Sequence, residues 1–329
     1  MITTNTLTSI SSLSNKNSFT LGSHQSFPLR YGWIEKFCFS LIKKHREKNE
    51  DFQFFDKVEL RPEELSQAHG LGNNMCKSLR FWLKICGIIH DNPNSRQNPY
   101  FTKFALNYFG PNGCDAYLNN INTIWWLHYN LISNYKSETT WSWFFNEFRI
   151  QSFDRQQLSK AISEDHRIDK KYSEENIKRD IDCFVRSYVG SNPKQVYSAE
   201  DALECPFTEL NLIRKGYGNT LVAKRQKREN LPYSLFLESI RQLKKRKFDN
   251  VNTITVETLL NNPFSPGCNF LLSRDGLLEK LEIINEKTEG AITLDQSSGL
   301  AQILVNDEIL LEEKIEELEA YERNKSTVF

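Results

Sequence analysis

Between Gly72 and Gly87 the chain reads NNMCKSLRFWLKIC, and its polar and apolar residues separate at helical spacing. With 3.6 residues per turn, Asn73, Lys77, Arg80 and Lys84 fall within a narrow arc, and Asn74 follows one position on. Met75, Leu79, Trp82, Leu83 and Cys86 fall roughly opposite, while Phe81 and Ile85 fit neither group, as on a helix buried on more than one side. Asn and Arg can read base edges, and Lys and Arg can pair with phosphates. A helix anchored by its apolar face and presenting this stripe has the chemistry of a recognition helix. The same pattern suits a surface helix with a solvated basic face, which is its commoner use.

Two further basic features stand beside it. Lys178, Arg179 and Arg186 lie on a helical run, with Asp180 and Asp182 placed to repel phosphates. The stretch 224–248 sets nine cations (Lys224, Arg225, Lys227, Arg228, Arg241, Lys244, Lys245, Arg246 and Lys247) against Glu229 and Glu238. Such a patch binds phosphates by releasing counterions. It also describes a solvated loop and a helix end whose cations suit the C-terminal dipole. His24 and Arg30 bracket QSFPL as an anion site, or else satisfy local backbone acceptors. His128 in an apolar helix reads as a core histidine, and His69 as a turn residue.

The elements that must position these residues are mostly helices. Apolar residues recur at helical intervals from Trp33, a short helix fits Pro62–Gln67, and Asn73 is expected to cap the helix that Gly87 ends. Residues 98–109 suggest a wing. INTIWWLHYNLISNY reads as a buried helix, 153–166 as an amphipathic one starting near Asp154, and Ser173 and Gly190 bound another. A helix spans 233–248, two more surround a Pro/Gly turn after 255, AITLDQSSGLAQILV alternates as a strand pair, and 307–323 form an acidic helix. The expected fold is mainly α with a minor α+β component, built of two or three winged-helix-like units with short β wings. The expected divisions are a disordered leader (1–20), an N-terminal winged-helix-like domain (21–135), a helical middle domain (136–200) and a C-terminal winged-helix-like domain with the acidic helix (201–329).

Composition limits the function. Of 329 residues, 42 are Lys or Arg and 42 Asp or Glu, so a protein that coats nucleic acid through overall charge is excluded and any contact must be local. Seven cysteines, an odd number with no CxxC, argue against a disulfide scaffold or zinc ribbon and for a reducing, cytoplasmic setting. No apolar stretch approaches the ~18 residues that cross a bilayer, so no membrane partner is expected. The sequence lacks GxxxxGK[ST], GxGxxG, HExxH and GxSxG, and no catalytic residue, cofactor or metal ligand is assigned. An active site of dispersed carboxylates stays open.

The chain resembles DUF4007, a bacterial family of domains of unknown function. The matching blocks are HQSFPLRYGW at 24–33, GLGNNMCKSLRFWLKICGII at 70–89, NTIWWLHYNL at 122–131, NIKRDIDCFVRSYV at 176–189, ECPFTEL at 204–210 and LDQSSGLAQIL at 294–304. Where the family pattern has Glu after the first histidine, this chain has Gln25. The resemblance implies a setting beside sulfur-activating reductase-like proteins and cysteine desulfurases, in systems that put phosphorothioate into DNA or resist phage. The expected function is a non-enzymatic DNA-binding accessory of such a system, with DNA and other proteins of the system as partners. A protein–protein adaptor, or a nuclease or sulfur-transfer subunit, are the alternatives.

Overall fold

The structure, a computed structural model, describes residues 19–47, 62–92, 95–133, 138–168, 172–190, 204–297 and 300–325. The expected leader, apart from its last two residues, lies outside them. Phe19 is buried, and the Thr20 amide donates to the Glu138 carbonyl (2.9 Å), so these two belong to the folded body.

The described chain is mainly helical with small antiparallel sheets. It opens with α1 (Trp33–Glu47), α2 (Pro62–His69) and α3 (Asn73–Ile85), then a hairpin of β1 (Ile89–Asn92) and β2 (Ser95–Phe101) with Ile89 opposite Phe101. The expected wing is thus one strand, followed by helix α4 (Lys103–Phe109), whose N-cap Thr102 accepts from the Ala105 amide. Helices α5 (Ile121–Ser133) and α6 (Thr140–Asn146), strand β3 (Ser152–Phe153), α7 (Arg155–Glu164) and α8 (Glu174–Val189) follow. Asp154 and Ser173 cap α7 and α8 as their sequences predict. A 3-10 turn (Pro206–Leu210) leads to the hairpin β4 (Arg214–Lys215) and β5 (Leu221–Val222), and β5 also pairs with β3.

The C-terminal part runs α9 (Tyr233–Lys247), β6 (Thr253–Thr255), α10 (Val256–Asn261), α11 (Pro266–Asn269), α12 (Arg274–Lys287), β7 (Ile292–Asp295), β8 (Gln302–Val305) and α13 (Glu308–Lys325). Its sheet has the order β6-β8-β7. Two helices, α10 and α12, flank the Pro/Gly turn as expected, and the turn itself winds into the short helix α11, which Ser265 caps and which Gly267 lets approach α10. A Cβ on Gly267 would lie 2.2 Å from the Leu260 carbonyl oxygen.

One buried cluster runs from Phe19 to Ile315 through all three expected domains. Its centre is a chain of rings: Trp82 on α3 meets Trp141 on α6 edge to face (5.2 Å), Trp141 meets Phe184 on α8, and Tyr188 stacks on Phe207. His128 on α5 is fully buried among Phe145, Tyr188 and Phe207. Its Nε2–H donates to the Asn269 carbonyl (2.9 Å), and its Nδ1 accepts from the Tyr188 hydroxyl (2.9 Å).

Burial pushes the His128 imidazole down to about 3. An unfolded chain protonates this ring near pH ~6.5, while the folded one refuses the proton until far lower. The folded state therefore loses stability as pH falls from about 6.5 towards 3, by up to ~1.4 kcal/mol per pH unit from this group. Urea unfolding over that range is expected to show a shallower loss for His128→Gln; an identical pH slope in the variant would contradict the assignment.

Candidate nucleic-acid interface

Helix α3 is fixed at its C-terminal end and along its back. Gly72, not Asn73, is the N-cap; Asn73 is the first helical residue, and no side chain caps the turn. At the other end the Gly87 amide donates to Lys84 and the Ile88 amide to Leu83, the paired bonds of a glycine-terminated helix. Gly87 has φ +75°, and a Cβ there would lie 2.8 Å from the Asn130 amide nitrogen that holds the Cys86 carbonyl. Along the back, Trp82 Nε1–H (2.9 Å) and Ser78 Oγ–H (3.2 Å) both donate to the Phe27 carbonyl. Cys76, Ser78, Leu79, Trp82, Leu83 and Ile85 are buried.

Asn73, Asn74, Lys77, Arg80 and Lys84 are all exposed on the opposite side. Lys84 pairs with Asp91 on β1 (2.6 Å) with both side chains more than half in solvent. A pair so exposed is held weakly and is open to competition from a phosphate.

The segment that receives α3 is held by His24. Its Nδ1 accepts from the Ser26 amide (3.0 Å), which puts the ring proton on Nε2, and Nε2–H donates to Asp180 Oδ1 (2.7 Å). Asp180 also accepts from the Gly22 amide (2.6 Å) and from the Thr140 hydroxyl. Both His24 and Asp180 are buried. Between them Gln25 and Ser26 turn through the left-handed region at φ 50° and 65°, and Arg186 donates to the Ser26 carbonyl. His24 is thus a packing residue with both ring nitrogens engaged, and does not form an anion site with Arg30. Arg30 is also buried, its guanidinium over the rings of Phe27 (5.6 Å) and Trp33 (5.7 Å). It lines a small pocket beside α3 with Tyr31, Trp33, Lys36, His69, Leu71 and Leu79. The Tyr31 hydroxyl donates to Glu209, and burial with that carboxylate pushes its pKa well up.

The second helix carries Lys178 and Arg179 outside, each in an exposed pair with a carboxylate of its own helix. Lys178 pairs with Glu174 (3.7 Å) and Arg179 with Glu175 (2.6 Å) one turn earlier. Asp182 pairs with Arg155 (3.0 Å). Asp180, expected on this surface, is buried instead.

The 224–248 stretch does not form one continuous basic face. Arg228 is buried and donates to the carbonyls of Phe270, Asn211 and Lys224. Burial, with the Arg214 guanidinium nearby, pushes its pKa down to about 10. Lys244 is buried and paired with Glu308. Arg225 donates to the carbonyls of Leu260 (2.7 Å) and Leu272 (3.3 Å), and Arg241 pairs with Glu238. Lys227 pairs with Glu279 (2.8 Å), Arg246 lies over the Phe264 ring, and Lys224 and Lys245 are exposed. Arg228 and Lys244 therefore hold the fold together and present no charge to a duplex.

Sequence reasoning placed Asp180 at the surface, yet the signal for its burial was present: it lies three residues after Ile177 and four before Phe184, inside the apolar stripe of α8. The partner could not be read, because His24 is 156 residues away.

A family model described as "Protein of unknown function (DUF4007)" matches residues 21–321. The chain belongs to this family. A crystal structure of a magnesium ion-bound SspB matches with 19% identity over 94% of this chain and 96% of that one, TM-score 0.73. A second SspB crystal structure matches with 20% identity over 95% and 98%, TM-score 0.71. At this identity the likeness establishes the DUF4007 chain's fold alone. No curated protein matches the sequence. Among the described residues no three His, Cys, Asp or Glu side chains gather as a metal-ligand set, and no helix is long and apolar enough to cross a membrane.

Asp180 receives three donors from two separate segments, Gly22 and His24 from the turn before α1 and Thr140 from α6. Asp180→Ala would orphan the buried His24 and Thr140 donors, at a cost of about 3 kcal/mol. The urea midpoint is expected to fall accordingly; a loss below about 1 kcal/mol would contradict the role given to this carboxylate.

Proposed function

We propose that this DUF4007 protein binds duplex DNA through α3, within a system that makes or responds to phosphorothioate DNA. The observation that carries the reading is the division of α3: five exposed residues with base-reading and phosphate-pairing chemistry, on a helix clamped along its whole opposite side. The order α1-α2-α3-β1-β2 supports a winged-helix-like unit with α3 as its recognition helix. The order α9-β6-α10-α11-α12-β7-β8, with β8 between β6 and β7, supports a second. The system is suggested by the family resemblance, with which the likeness to SspB structures agrees.

The C-terminal unit favours a different partner. Its α12, in the place α3 holds in the first unit, exposes Asp275, Glu279, Glu282 and Glu286. Such a face repels phosphates, and supports docking to another protein of the system while α3 engages DNA.

A gel shift with plain and phosphorothioate duplexes over a salt series tests the reading. Affinity is expected to fall with salt, with a log–log slope of about −3 if Lys77, Arg80 and Lys84 each meet one phosphate. Lys77→Glu with Arg80→Glu is expected to abolish the shift while leaving the protein folded, since both side chains are exposed. Salt-insensitive binding, or an unaffected double variant, would overturn it. Magnesium-dependent duplex cleavage by the pure protein, lost on a single carboxylate substitution, would assign a nuclease instead.

A further inference from the structure

The β4–β5 hairpin carries a feature that the proposed role of α3 does not use. Its stem is anchored in the core: Leu221 is buried, pairs across the hairpin with Lys215 and pairs on its other side with the buried Phe153. Leu212 and Ile213, leading into the stem, are also buried. The loop is closed by two backbone bonds, Gly216 N–H to the Thr220 carbonyl (2.8 Å) and Thr220 N–H to the Tyr217 carbonyl (3.2 Å). At the tip of this fixed support Tyr217 is 98% exposed. A large aromatic ring held in water by an ordered support, and not folded back on the surface, needs an explanation.

The tip is also narrow. Tyr217 stands between Gly216 and Gly218, so no side chain flanks the ring. Gly218 has φ +62°, a conformation glycine adopts without strain, and a Cβ there would meet nothing within 4 Å. The stem is basic. Arg214, Lys215 and Lys224 are exposed, and no acid occurs in the sequence between Glu209 and Glu229. The crowding of positive charge reaches inside, where the Arg214 guanidinium bears on buried Arg228.

Narrowness, an unflanked ring and cations on the stem behind it match the minor groove of duplex DNA. The groove is about 6 Å wide and bounded by two rows of phosphates. We propose that the β4–β5 hairpin enters the minor groove of the DNA bound through α3, with Arg214 and Lys215 at the phosphates and the Tyr217 ring wedged at a base step. This rests on the DNA-binding reading given above. A wedge partly unstacks the step it enters, so the easily unstacked pyrimidine–purine steps are its expected sites.

The test uses the full-length protein and short duplexes carrying 2-aminopurine at a TA step, whose fluorescence rises when the base unstacks. Anisotropy on the same samples reports binding. Wild-type protein is expected to bind and raise the fluorescence. Tyr217→Ala is expected to bind about tenfold more weakly, within the range of base–aromatic stacking, and to give no rise at saturation. Tyr217→Phe keeps the ring and is expected to restore both. An equal rise with Tyr217→Ala, or wild-type binding with no rise at any step, overturns the wedge while leaving the α3 reading in place. If the wild type binds no duplex, both fall. The site is exposed, so Tyr217→Ala is expected to melt at the wild-type temperature.

Discussion

The direction in which α3 faces depends on one backbone carbonyl. Phe27 offers its oxygen to Trp82 and Ser78 together, so the helix cannot roll about its axis without leaving two buried donors unpaired. That carbonyl is itself fixed because the preceding turn, with two residues in the left-handed region, is pinned by His24 to Asp180 on α8. The chain of constraint runs from a buried carboxylate, through a histidine and a tight turn, to the face that α3 shows to solvent. Loosening it at Asp180 would disturb the surface at Lys77 although the two residues never touch.

The zero net charge of the chain conceals an uneven distribution. The N-terminal α3 exposes asparagines and cations, whereas α12 exposes carboxylates. Many other charges are committed within the fold: Arg228 and Arg225 to carbonyls, Lys244 to Glu308, and Asp165 to Arg167 and the Trp143 indole. Asp165 is held well below the usual carboxylate range by those donors. A count of cations along 224–248 overstates the available contacts, because a buried guanidinium whose N–H groups already donate to carbonyls cannot also donate to a phosphate.

Local signals in the sequence were legible because local physics produces them. The helical spacing of α3, α8, α9 and α13, the caps at Asp154 and Ser173 and the stops at Gly87 and Gly190 all read through a few neighbouring residues. The cap of α3 was displaced by one residue, since Gly72 takes that position and Asn73 starts the helix. Charges buried within apolar stripes were harder. Lys244 follows Leu243 and lies four residues after Ile240, just as Asp180 lies beside Ile181, so the spacing of each marks a core face. Their partners lie 64 and 156 residues away and leave no trace in local spacing. The shared core was invisible for the same reason, since its ring contacts join α3, α6, α8 and the turn at Phe207 across long separations.

Lysine acetylation footprinting of the protein with and without saturating duplex, read residue by residue by mass spectrometry, decides whether α3 meets the DNA. Lys77 and Lys84 are expected to become protected in the complex while Lys287, at the end of α12, reacts as before. Undiminished labelling of Lys77 in a complex that demonstrably holds DNA would show that the duplex lies elsewhere on the protein.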